Sequence, residues 1–249
     1  METLKHFTLI IAGDKPEEMV KKYDSTLTVE PYVVYKVSDA KKIHEDFIKE
    51  YEMALSKKDS EILRNRLNYL KGIDDIEFYA YITDPYELDD NGNAISTANP
   101  NGKYYTCKLG KELSMPLINK MGYEVFSELK GNIDWGRIHL GSNDTYGKVW
   151  DMVMNDVKPV NDIEKGIYEN MKNRKAYFEF FGDKETYIIS NTAFWGYAFL
   201  SNETGWVELE STMSQLEWVK QFYDKFIEPL SDDTRISVYE CTRLVGDEG

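Results

Sequence analysis

His6-Phe7-Thr8-Leu9-Ile10-Ile11-Ala12 is a run rich in aromatic and branched apolar side chains, the composition of a buried strand. It stops at Gly13. Asp14 and Glu17 then stand three apart, the spacing of a capping box, and open a short helix through Met19, Val20 and Tyr23. A second such run, Arg235-Ile236-Ser237-Val238-Tyr239, closes the chain as a strand. Strands and helices between them mix without regular β-α-β alternation. The expected fold class is therefore α+β, a mainly antiparallel sheet with helices packed on one face.

Outward from the first run, Pro31 precedes Tyr32-Val33-Val34-Tyr35, a second short strand. Ala40, Ile43, Phe47, Tyr51, Ala54 and Leu55 recur in steps of mostly three and four, which puts one apolar stripe on a helix. Asp59 or Ser60 caps the next helix, striped by Leu63, Leu67 and Leu70 and stopped by Gly72. This helical pair, at about 39–71, reads as an insertion in a single domain spanning 1–249. Phe78, Ala80 and Ile82 alternate with Tyr79 and Tyr81, which predicts a strand. Asp89-Asp90-Asn91-Gly92-Asn93 is a hairpin turn, because Asn-Gly accepts the positive φ it needs. Asn99-Pro100-Asn101-Gly102 is another turn, and glycines punctuate residues 110–148 into short elements.

Beyond that segment, Asn161 and Glu164 cap a helix carrying Ile163, Ile167 and Met171. Residues 177–181 and 186–189 read as a hairpin across Gly182-Asp183-Lys184, and 194–200 with 206–209 as another. Ser214 and Glu217 have capping-box spacing and start a helix whose Val219, Phe222, Tyr223 and Phe226 share a face, with Pro229 near its end.

Asp and Glu number 44 against 30 Lys and Arg, a net charge of -14. The excess is uneven: residues 51–100 hold 10 acids and 5 bases, residues 201–249 hold 11 and 4, and residues 101–150 hold 5 and 7. Such a surface repels phosphates, so direct DNA or RNA binding is not expected. Met1 to His6 show no basic region followed by an apolar run, and no stretch approaches 18 apolar residues, so neither a secretion signal nor a membrane span is expected. Cys107 and Cys241 lie far apart in sequence and are expected as reduced thiols.

Catalytic signatures fail one by one. His6, His44 and His139 are scattered, none with a second His or Cys at ligand spacing. Asp84, Glu87, Asp89, Asp90, Asn91 and Asn93 are dense in oxygen, but a calcium loop counted from Asp89 would place Ala94 sixth and Pro100 twelfth, where Gly and Glu are needed. Phosphate-cradling GxxxxGK[ST] and GxGxxG motifs and a GxSxG elbow are absent. No cofactor, metal or catalytic residue is expected.

Asn99-Pro100-Asn101-Gly102-Lys103-Tyr104-Tyr105, Ile133-Asp134-Trp135, Phe194-Trp195-Gly196-Tyr197-Ala198, Gly205-Trp206, Phe222-Tyr223-Asp224-Lys225-Phe226 and Ser231-Asp232-Asp233-Thr234 together resemble a family of phage and prophage proteins of gut bacteria. The resemblance touches about half of the chain. Relatives carry tryptophans after the lysine and then Gly-Gly-Arg-Trp, where this chain has Tyr104-Tyr105 and Gly110-Lys111-Glu112-Leu113. The resemblance implies phage origin and a role inside an infected cell, and supplies no reaction.

Acidity without catalytic motifs leads to one expectation. The chain is an accessory protein in the cytoplasm of an infected bacterium, binding and inhibiting a host defence protein as a polyanion mimic. Its contact residues would be Asp74, Asp75, Glu77, Asp84, Glu87, Asp89, Asp90, Glu208, Glu210, Asp232 and Asp233. The alternative is a nucleotide- or small-molecule-binding protein or enzyme with a pocket near 99–140, using Lys103, Tyr104, Tyr105, Trp135, Arg137 and His139.

Overall fold

In the computed structural model, which describes residues 4–57, 60–110, 115–139, 143–170, 182–210 and 212–244, the opening run becomes β1 (Leu4–Ala12). The helix α1 (Pro16–Lys21) follows, but not through the expected capping box. Lys15 is its N-cap without a side-chain hydrogen bond, and Pro16 takes the first turn, where a missing N–H costs nothing. The chain then divides into two compact units, Met1–Asp24 with Lys103–Gly249 and Ser25–Gly102, where the sequence reading has one domain. Departure and return lie side by side in the first unit: Lys103 N donates to Tyr23 O at 2.7 Å, and Asp24 bridges Tyr104.

The Ser25–Gly102 unit contains the helical pair and more. It runs β2 (Thr28–Tyr35), α2 (Ala40–Lys57), α3 (Glu61–Gly72), α4 (Asp75–Thr83), β3 (Glu87–Leu88) and β4 (Ala94–Ala98). The strands form an antiparallel sheet in the order β2-β4-β3, with Pro31 tolerated because β2 is an edge. The expected Asn-Gly turn forms between β3 and β4, with Gly92 at φ 78°. Asp59 lies outside the described residues.

The expected strand at Phe78–Ile82 positions is instead α4. Asp74 accepts Ile76 N at 2.9 Å and Glu77 N at 2.8 Å, and Phe78, Tyr79 and Thr83 turn inward on one helical face. The apparent two-residue period came from aromatic residues facing both ways, and the N-cap outweighed it.

The other unit continues with β5 (Thr106–Leu109), β6 (Leu117–Ile118), β7 (Glu124–Val125), β8 (Ser127–Leu129) and α5 (Trp135–His139). Then come α6 (Asn143–Met154), α7 (Asp162–Asn170), α8 (Lys184–Thr192), β9 (Ala198–Ser201), β10 (Gly205–Glu208), α9 (Gln215–Phe222) and β11 (Arg235–Leu244). The second half of the hairpin expected at 186–189 is helical in α8. Asp183 caps it by accepting Thr186 N at 2.8 Å, and Tyr187 is buried against Trp150. Residues 177–181 and Met171 lie outside the described residues. The Ser214–Glu217 capping box forms with both bonds, and α9 continues as a π-helical turn at Tyr223–Ile227.

β1 and β11 are the centre of a six-stranded sheet in the order β10-β9-β1-β11-β5, with β8 also on β11. Every pair is antiparallel except β1 with β9. Alternation along β1 sends Ile10 and Ala12 to one face, where they meet Phe194 and the helical residues Ile138, Trp218, Phe222, Phe226 and Ile227. Phe7, Leu9 and Ile11 go to the other, closed by Val20 of α1, Tyr104 and Tyr239. The fold class is α+β. No helix among the described residues is long and apolar enough to cross a membrane.

The cysteines correct another expectation. β5 pairs with β11 in a register that puts Cys107 opposite Cys241, 4.1 Å apart at Cα, and the two form a disulfide. A sequence separation of 134 is no barrier once the strands are neighbours.

Candidate functional site

Pairing of β9 with β1 begins only at Leu9. Before it, β1 and the segment ahead of β9 diverge. The space between them is a cavity of about 330 Å³ lined by Lys5, His6, Phe7 and Thr8 on one side, by Ala193, Trp195 and Tyr197 on the other, and by Met115. Gly196 sets where the two close up. A Cβ there would stand 2.7 Å from Ile10 Cγ1 and 3.2 Å from Thr8 O, so only glycine permits the approach.

The aromatic wall continues behind the cavity. The Phe7 ring meets Tyr197 at 5.6 Å and Trp206 at 6.3 Å, and Trp206 meets Tyr23 at 5.0 Å. Arg243, only 6% exposed, lies over Tyr197 at 4.6 Å and Phe7 at 5.7 Å and donates to the Tyr197 hydroxyl at 2.6 Å. Its charge is answered by Glu208 at 3.8 Å, which also accepts from Trp206 Nε1 at 2.9 Å and Lys103 Nζ at 3.4 Å. A buried guanidinium is retained where aromatic faces and a carboxylate replace its water. The result is a ring-lined patch in which Arg243 and Lys103 share the Glu208 carboxylate.

The expected ligand set is split by the sheet. Tyr104 is buried on the Leu9 face, its hydroxyl donating to Val20 O at 3.3 Å, and burial with the nearby Asp24 charge pushes its phenol up to about 12. Trp135 packs on the opposite face against Phe194 and Tyr223. Lys103 is engaged by Glu208, Tyr105 N donates to Thr242 O, and Arg137 is exposed on α5. His139 ends α5, and its side chain lies outside what is described.

The acidic set is divided between the units. Asp74, Asp75, Glu77, Asp84, Glu87, Asp89 and Asp90 lie in Ser25–Gly102, whereas Glu208, Glu210, Asp232 and Asp233 lie in the other unit. Several do structural work. Asp74 caps α4, Asp75 pairs with His44, and Glu208 holds Arg243. Asp89 accepts from Asn91 N, Asn93 N and Asn93 Nδ2, and the Asn93 bonds hold its carboxyl below the usual range. Asp233 accepts from Ser231 Oγ, and Glu210 accepts from Thr212 Oγ1 at 3.3 Å. Glu77, Asp84, Glu87, Asp90 and Asp232 are exposed. Among the described residues, no group of three or more His, Cys, Asp or Glu converges to hold a metal.

The cavity residues were not singled out from the sequence as a site, because each sits in a segment that reads as ordinary strand or turn. The available signal was Arg243, a cation four residues beyond the closing run Arg235–Tyr239. No family model, curated protein or solved structure matches the chain.

Proposed function

We propose that the protein acts by binding a basic surface on another protein. The carrying observation is the segment between Gly72 and Gly102, which holds the acids Asp74, Asp75, Glu77, Asp84, Glu87, Asp89 and Asp90 and no Lys or Arg. Glu77, Asp84, Glu87 and Asp90 within it are exposed and make no ion pair among the described residues. Uncompensated carboxylates steer a basic partner from a distance and compete with phosphates for Lys and Arg. In the setting implied by the phage resemblance, the partner is a host defence protein with a nucleic-acid groove, met in the bacterial cytoplasm and inhibited by occupation of that groove.

The test is capture of a host protein by the full chain at low and high salt, with the variant Glu77→Gln/Asp84→Asn/Glu87→Gln/Asp90→Asn alongside. Capture that weakens with salt and with the variant supports the reading. No captured protein, or capture indifferent to both, overturns it.

A further inference from the structure

We infer that the cavity beside β1 is a docking site for an extended peptide segment of a partner protein, which adds to the sheet at His6. The argument begins with main-chain direction. Val238 N donates to Phe126 O and Val238 O accepts from Gly110 N, both at 2.8 Å, so its peptide groups point away from β1. Ile10, opposite Val238, therefore belongs to a pair that exchanges no hydrogen bonds, and its amide and carbonyl face β9. The two-residue repeat gives Thr8 and His6 the same direction. The β9 ladder starts at Leu9 and does not extend to His6. Among the described residues, no backbone hydrogen bond joins His6 to the 193–197 segment. The amide and carbonyl of His6 thus face the cavity, as a strand edge faces an added strand.

The lining fits that occupant. Four consecutive β1 residues border the cavity, as a strand edge does and as a pocket on one sheet face does not. Phe7 and Tyr197 offer apolar wall on the Leu9 face to one large side chain of the incoming segment, and Trp195 offers it on the Ile10 face. Lys5 is exposed and stands 5.9 Å from the Tyr197 ring centroid. The partner chemistry is therefore an extended segment that pairs with the His6 amide and carbonyl and carries an aromatic or large aliphatic residue. This surface belongs to the other unit from the acidic segment of the proposed function and is tested independently of it.

The experiment is selection of random displayed peptides on the full chain, followed by titration of synthetic copies. Enrichment of peptides that carry a large apolar residue is expected. Methylation of the peptide nitrogen that pairs with His6 O should weaken binding by about tenfold, the worth of one hydrogen bond. His6→Pro removes the outward N–H without touching the β11 ladder and should cost a similar factor, with the melting temperature reporting that the fold is intact. No enrichment, or enriched peptides that bind equally well when N-methylated, overturns the proposal. The methylated peptide decides the matter on wild-type protein should His6→Pro fail to fold.

Discussion

His44 sits between two acceptors. Its Nδ1 is 2.9 Å from Asp75 Oδ1, its Nε2 is 2.8 Å from Leu70 O, and its ring stacks on Phe78 at 4.3 Å. The ring thus lies within hydrogen-bond reach of a carboxylate on one side and a backbone carbonyl on the other. The bonds tie α2 to α3 and α4. His44→Phe keeps the stack but leaves the Leu70 carbonyl and Asp75 without it. Denaturant unfolding should show a loss of about 1–3 kcal/mol. A neutral variant would mean that water replaces the ring. None of this was visible in the sequence, where His44 next to Glu45 and Asp46 suggests only a surface helix. The residues that matter to it, Leu70 and Asp75, are 26 and 31 positions away.

At the level of elements, carboxylates at chain turns carry much of the local order. Asp89 at the β3–β4 turn, Asp183 ahead of α8, Glu217 in α9 and Glu128 in β8 all have carboxyls held below their ordinary values by hydrogen bonds, mainly with Asn93, Thr186 N, Ser214 and Leu129 N. A folded-state value below the unfolded one means stability that is present above the ordinary values of 3.8 for Asp and 4.5 for Glu. It is lost as pH falls through the lower folded values. Stability measured by denaturant should therefore decline on acidification below that range. Asp183→Asn, which keeps an acceptor for Thr186 N without a titrating group, should flatten the decline. An unchanged acid profile in that variant would remove Asp183 from the account. Capping boxes are local, which is why Ser214–Glu217 was legible. Asp14–Glu17 has the same spacing but Pro16 between its members, and the helix starts elsewhere.

For the whole molecule, the disulfide has the longest reach. Joining Cys107 to Cys241 closes a loop 134 residues long and ties edge strand β5 to central β11. Loop-closure entropy of that size corresponds to about 5 kcal/mol, and native disulfides usually contribute about 2–5 kcal/mol. Cys107→Ala/Cys241→Ala should lose stability in that range by denaturant unfolding, and alkylation with and without reductant, read by mass, should show both thiols only after reduction. Free thiols in the unreduced protein would refute the pairing. The sequence by itself determined the β1 run, the Asn-Gly turn, the Ser214 cap, the stripes of α2 and α3 and the uneven charge, because each follows from neighbours a few residues apart. Only the tertiary structure decided that β1 runs parallel to β9 and antiparallel to β11, that two distant cysteines face each other, that Tyr104 and Trp135 fall on opposite faces, and that residues 5–8 and 193–197 enclose a cavity. Strand pairing joins segments up to the whole chain apart, and the two-residue pattern that marks a strand carries no record of its partner.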